Sequence, residues 1–291
     1  MDKIIYLDHA STTYMDSQVL EEMKPYFNGN YGNPSSLHSV GQKARIALDK
    51  ARETVAENLN CSGTEITFTG GGTESVNLAI FGIANEKKKG HIITSKIEHK
   101  AVLRSCESLK EQGFEITYME VDEYGMVNPK DVEKAIRKDT ILITIMYANN
   151  EIGTVQPIEE ISKIAKKHGI PFHTDACQAP GLLEVDTKKL GVDLMTINGS
   201  KMYGPKGVGV LFHKTGIKLK PLIHGGGQEE NLRSGTENVP GIIGLAKALE
   251  LAEKNRSKET ERLWELNNKL RKEISEKIPK VILNGHPEKR L

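Results

Sequence analysis

Short apolar runs alternate along the chain with stretches whose apolar residues recur every three or four positions, the pattern of strands followed by helices. A helix is predicted from Asp16 to Phe27, closed by Asn28-Gly29, and a longer one from about Val40 to Leu59, with Ala44, Leu48, Ala51, Val55 and Leu59 on one stripe. The run Ile66–Thr69 precedes a helix at about Glu74–Glu86, and His91–Ser95 precedes one at His99–Gln112. Glu115–Val121 precedes one at Pro129–Arg137, and Ile141–Ala148 precedes one opening near Pro157. Ile170–Thr174 runs into Asp175, and Asp193–Asn198 stops just before Lys201. Gly207–Phe212 and Ile217–Leu222 read as a hairpin. Beyond Pro240 an apolar helix, Gly241–Ala252, is followed by an amphipathic one, Glu259–Ile278, with Leu263, Leu266, Leu270, Ile274 and Ile278 on one face. A last strand candidate, Lys280–Leu283, has no hairpin partner nearby, so Ile4–Leu7 is its expected neighbour. Regular strand–helix alternation predicts an α/β fold, a mostly parallel sheet with helices on both faces. In such sheets ligands bind at the carboxyl ends of the strands.

Composition narrows the function. Hydrophobic residues at 37% and charged residues at 27% exclude a disordered chain, a collagen and a disulfide miniprotein. Forty Lys and Arg against 39 Asp and Glu leave a net charge of +1. A polyanion partner calls for a basic excess, so neither nucleic acid nor an acidic membrane surface is expected. Cys61, Cys106 and Cys177 form no CxxC pair, which argues for a reducing compartment and against disulfides or a structural zinc. No apolar run nears the ~18 residues of a membrane span. The opening MDKIIYLDHASTTY lacks a basic-then-apolar leader, so a cytoplasmic location is expected.

Several strand ends carry chemistry. Thr69-Gly70-Gly71-Gly72-Thr73-Glu74-Ser75 joins a strand to a helix. Backbone N–H groups at such a junction bind anions, and Thr73 adds a hydroxyl. The run is neither a Walker loop nor a GxGxxG fingerprint, and a tight turn needing positive φ is the alternative reading. Asp175, in HTDACQA, is either a carboxylate aimed into the crevice or a helix N-cap. Lys201, in NGSKMYGPKG, is either a desolvated nucleophile or an ordinary solvated lysine. His99 and the Asn149-Asn150-Glu151 turn each admit a structural reading as well. Taken together, a phosphate cradle, a carboxylate, a nucleophilic lysine and an aromatic ring meet the needs of pyridoxal 5'-phosphate.

The runs YLDHASTT, GNPSSLH, FTGGGTESVNLAI, EHKAVL, YANNEIGTVQPI, HTDACQAPG, KMYGPKGVGVL and GGGQEENLRSGTENV extend in order from residue 6 to about 245. On these runs the chain resembles the cysteine desulfurases of the NifS/IscS group, fold-type I pyridoxal phosphate enzymes of the class V aminotransferase type. The resemblance implies a mostly parallel seven-stranded sheet in a large cofactor-binding domain, residues 16–256. It implies a partial small α/β domain from residues 1–15 and 257–291. Lys201 would bear the cofactor as a Schiff base, Asp175 would pair with its ring nitrogen, and Gln178 would donate to its ring hydroxyl. His99 would stack on the ring and assist proton transfer. Gly72 and Thr73 would hold the phosphate, and Asn150 would sit beside the cofactor or the substrate carboxylate. Thr236, in RSGTEN, would reach the phosphate of a neighbouring subunit, which implies a homodimer with shared sites. L-Cysteine would yield L-alanine and an enzyme persulfide, passed to a sulfur-acceptor or scaffold protein for iron–sulfur cluster assembly or tRNA thiolation.

The chain departs from the family pattern in three places. Asn198 and Ser200 stand where the family has Ser and His around the lysine, although both can still donate hydrogen bonds to a phosphate. The family's persulfide-forming cysteine, with its substrate-binding arginine, lies downstream of Leu291, so the 291-residue chain is expected to be a fragment with impaired activity. Cys177 lies between two cofactor-contacting positions but matches no catalytic cysteine, and it is read as a buried, inert thiol. The alternatives are a selenocysteine lyase or other class V transferase, and a truncated paralogue that only binds cofactor or a partner.

Overall fold

The computed structural model describes residues 4–291; the first three residues of the 1–15 segment lie outside them. Among the described residues seven strands form one sheet. In chain order the elements are α1 (Ser17–Met23), α2 (Pro25–Asn28), α3 (Ser39–Leu59), β1 (Ile66–Thr69), α4 (Gly72–Lys87), β2 (His91–Ser95), α5 (Lys100–Glu111), β3 (Glu115–Met119), α6 (Pro129–Ala135), β4 (Thr140–Thr144), α7 (Ile158–Lys167), β5 (Phe172–Asp175), α8 (Thr187–Leu190), β6 (Leu194–Asn198), β7 (Gly209–His213) and α9 (Val239–Lys277).

The sheet order is β1-β7-β6-β5-β4-β2-β3. The stretch from β6 to β3 is parallel, and β7 runs antiparallel to both of its neighbours, β1 and β6. Two reversals restore direction, so β1 points the same way as β6. The carboxyl ends of β1, β2, β4, β5 and β6 therefore meet at one edge.

Neighbouring strand residues alternate between the two faces, as the pleat requires. Ile93, Ile143 and Met195 join a core with Leu48 and Val55 of α3, Ile161 of α7 and Leu249 of α9. Ile92, Leu142 and Leu194 join a second core with Ile80 and Ile83 of α4 and Leu109 of α5. Burial on both faces is why these strands read as unbroken apolar runs. The predicted stripe on α3 is buried throughout. That helix stops at Asn60, whose left-handed backbone (φ 53°) closes it. Pro129 opens α6 at its first turn, after an Asn128 cap.

Four expectations are corrected. The helix predicted from Asp16 to Phe27 is two, α1 and α2, broken at Lys24 before Pro25. Ile217–Leu222 is no strand; the partners of β7 are β1 and β6, so the hairpin does not form. Gly241–Ala252 and Glu259–Ile278 are one helix, α9, of 39 residues. The intervening Glu253–Lys258 holds neither Gly nor Pro, and Glu253–Arg256 adds an ion pair one turn apart. Lys280–Leu283 is not a strand and does not pair with Ile4–Leu7, which is exposed. The last residues instead pack on the turn after β4, where Thr154 bridges Arg290. No helix among the described residues is long and apolar enough to cross a membrane.

Candidate active site

Five strand ends and one N-terminal segment enclose a cavity of about 400 Å³ at the sheet edge. From β1 comes the glycine run. Gly71 caps α4 with φ 147°, a conformation favouring glycine. A Cβ on Gly209 of β7 would lie 2.6 Å from the Gly71 carbonyl carbon, so the run lies on bare backbone. Glu74 holds it in place: its Oε2 accepts the Gly70 N–H at 2.8 Å, and its Oε1 accepts Arg233 Nε at 2.9 Å. Gly72 and Thr73, the first residues of α4, face the cavity.

His99 enters from the turn after β2. As the N-cap of α5 its Nδ1 accepts the Ala101 N–H at 3.1 Å, which puts the proton of the neutral ring on Nε2. Met146, Ala148, Asn150 and Glu151 come from the segment after β4. Asp175 ends β5, is 7% exposed, and accepts the Cys177 N–H at 3.0 Å. Gln178 follows, its Nε2 donating to the Ala10 carbonyl at 2.9 Å. Asn198 and Lys201 follow β6. Lys201 Nζ donates to the carbonyls of Ala10 (2.6 Å) and Ser11. Burial pushes its pKa below the ordinary lysine range.

The structure thus brings Gly72, Thr73, His99, Asn150, Asp175, Gln178, Asn198 and Lys201 to one cavity. Two candidates are not there. Ser200 is half-buried and its carbonyl accepts the N–H and hydroxyl of Thr13. Thr236 is exposed and outside the cavity lining.

Sequence reasoning missed five contributors. Asp8, Ala10 and Ser11 line the cavity although they precede the predicted large domain; the run YLDHASTT was their only signal. Asn149, not Asn150, is the buried member of its pair and shapes the turn, its Oδ1 accepting the N–H groups of Glu151 and Ile152. Glu98, next to His99, is buried and had no signal beyond its neighbour.

The family model "Aminotransferase class-V" matches residues 5–291. The chain belongs to the class-V aminotransferase family. It is 53% identical to cysteine desulfurase IscS of Dictyoglomus turgidum, over all of this chain and 74% of that one. Among solved structures, a NifS-like protein superposes with a TM-score of 0.92 at 43% identity, covering 94% of this chain and 76% of the other. "SspA in complex with cysteine" superposes with a TM-score of 0.83 at 47% identity, covering 85% and 72%.

The family's cofactor is pyridoxal 5'-phosphate, and the residues present fit it. A Cβ on Gly72 would meet Cys177 Sγ at 2.8 Å and Asn198 Nδ2 at 3.1 Å, so only glycine leaves the cradle open. Asn198 Oδ1, beside that cradle, is buried without a partner among the described residues. An amine, a carboxylate and a helix N-terminus surround the remaining space, which are the groups the cofactor's aldehyde, ring nitrogen and phosphate require.

Proposed function

We propose that this chain is a cysteine desulfurase, which moves the sulfur of L-cysteine onto an enzyme thiol and releases L-alanine. The observation that carries the reading is the convergence of Lys201, Asp175 and the glycine-rich start of α4 on one cavity, in a chain 53% identical to a cysteine desulfurase.

When bound, the cofactor supplies an electron sink that weakens bonds at the substrate's α-carbon. The chain's residues do the rest. The α4 N-terminus, with Gly72 and the Thr73 hydroxyl, holds the phosphate. Asp175 would pair with the ring nitrogen and keep it protonated. Gln178 would donate to the ring hydroxyl, and Asn150 would sit beside the cofactor or the substrate carboxylate. Lys201, partly desolvated, provides the attaching amine and a base for the α-proton. His99 would stack on the ring and assist proton transfer, its Nδ1 already occupied by the Ala101 N–H. Asn198 keeps a donor beside the phosphate cradle, whereas Ser200 does not reach the cavity wall.

Burial pushes the thiols of Cys61 and Cys106 up to about 12. Burial, then the Asp175 carboxylate, pushes Cys177 up as well. All three stay protonated at neutral pH, and attack on sulfur needs a thiolate, so none is assigned as the accepting thiol. The persulfide is passed to a sulfur-acceptor or scaffold protein for iron–sulfur cluster assembly or tRNA thiolation, a use supported by likeness to the relatives above. A homodimer with shared sites completes the reading. The exposure of Thr236, outside its own chain's cavity lining, supports a role in holding a neighbour's phosphate.

The test is incubation of the protein with pyridoxal 5'-phosphate, L-cysteine and a reducing thiol. With the added thiol taking the sulfur in place of an enzyme thiolate, alanine and sulfide should form slowly and in equal amounts, and Lys201→Ala should form neither. Alanine no greater than in that variant would overturn the reading.

A further inference from the structure

Glu98 sits at the turn between β2 and α5, one residue before His99, and is 5% exposed. Its Oε1 accepts the Ser95 hydroxyl at 2.6 Å and the Met146 N–H at 2.9 Å. Its Oε2 is buried with no partner among the described residues. Met146 belongs to the segment after β4 that lines the cavity. Asn149 ties the same two segments a second time, its Nδ2 donating to the Ile97 carbonyl at 2.8 Å. The turn that presents His99 is therefore strapped to the neighbouring cavity wall at two consecutive residues, Ile97 and Glu98.

We propose that Glu98 is the positioning residue for His99, fixing the turn that carries the imidazole against the strand end that forms the adjoining wall. Its consequence for catalysis rests on the desulfurase reading above; its consequence for the His99 ring does not.

The strap works best uncharged. Asp175 at the end of β5 and the Cys106 thiol on α5 face Glu98, and His99 is its chain neighbour. Burial, helped by the Asp175 charge, pushes the Glu98 carboxyl up to about 8. At neutral pH it is mainly protonated. Oε1 already accepts two donors, so the proton belongs on Oε2. Ionisation at higher pH places a second buried negative charge near Asp175 and loosens the turn.

Glu98→Gln keeps the accepting oxygen and cannot ionise; Glu98→Ala cuts the strap. Nitrogen NMR of the His99 ring, on the chain without cofactor, is the first readout. At neutral pH Glu98→Gln should match wild type, with Nδ1 as acceptor, and Glu98→Ala should show mixed tautomers. In wild type the ring signals should also shift with a midpoint near 8, and that shift should be missing from Glu98→Gln. With cofactor and L-cysteine, Glu98→Ala should lose at least about tenfold in kcat while KM stays within about twofold. Glu98→Gln should keep kcat and stay active to higher pH.

A folded Glu98→Ala with wild-type ring signals and kcat overturns the proposal. So does a Glu98→Gln as impaired as Ala. Should Glu98→Ala not fold, the Gln variant decides: a ring titration unchanged from wild type refutes the strap. Absence of alanine from the wild type sinks the desulfurase reading alone, because the ring signals still decide the role of Glu98.

Discussion

Lys201 Nζ donates to the carbonyl of Ala10, 2.6 Å away, although 191 positions separate the two residues in the chain. The same carbonyl accepts Gln178 Nε2 at 2.9 Å. The Asp8–Thr13 segment thus holds the amine in place, and Thr13 in turn binds Ser200 and Tyr203. Removing the amine tests its assignment directly. Lys201→Ala mixed with pyridoxal 5'-phosphate should give no borohydride-reducible visible band, and covalent attachment that persists would place the cofactor on another residue.

The proposed phosphate cradle is tightest at Gly72. A methyl there would sit 2.8 Å from Cys177 Sγ and 3.1 Å from Asn198 Nδ2. Gly72→Ala should weaken cofactor binding at least about tenfold, roughly 1.4 kcal/mol, read by absorbance titration. Adding Cys177→Ala should restore part of the loss, because it removes the nearer atom. Cys177→Ser alone should leave cofactor binding and desulfuration largely unchanged. A near-total loss of persulfide in that variant would show that the thiol is not inert.

Glu229 is buried and forms a bidentate pair with Arg52, with distances of 2.6 and 3.0 Å. Its Oε2 also accepts the Phe68 N–H at 2.8 Å, which anchors the loop carrying Arg233 and Thr236 to the edge strand β1. Arg52→Ala leaves that carboxylate buried and unpaired and should cost about 3–5 kcal/mol in urea unfolding. Arg52→Ala combined with Glu229→Gln should recover much of this. Additive losses would mean that the pair is not coupled.

His173 is fully buried, with Nδ1 2.8 Å from the Thr144 hydroxyl and Nε2 3.0 Å from that of Thr196. Burial lowers its pKa from 6.5 to about 3. The unfolded chain binds this proton more readily, so stability is lost as pH falls below about 6.5, by roughly 1.4 kcal/mol per pH unit. Glu98 has the opposite sign. Its carboxyl is raised from 4.5 to about 8 in the folded state, so it costs stability as pH rises through that window. His173→Gln should flatten the acid side of the Tm–pH curve and leave the alkaline side unchanged. An acid side identical to wild type would assign the loss to other groups.

Local pattern alone determined the strand–helix alternation, the buried stripe of α3 and the glycine junction ahead of α4. Each depends on residues within a few positions of one another, where periodicity, capping and turn chemistry act directly. The residues at the strand ends were legible because a parallel α/β sheet puts its ligand site there. Sheet order was not legible. The seat of β7 between β1 and β6 is decided by pairing and by the bare backbone where Gly209 meets Gly71. Fusion of the two predicted helices into α9 followed from the lack of a breaker, a weak local signal. The Ala10–Lys201 contact and the seating of Glu98 against Met146 exist only in the folded chain. Long-range contacts set burial, and burial is what lowers the pKa of Lys201 and raises that of Glu98.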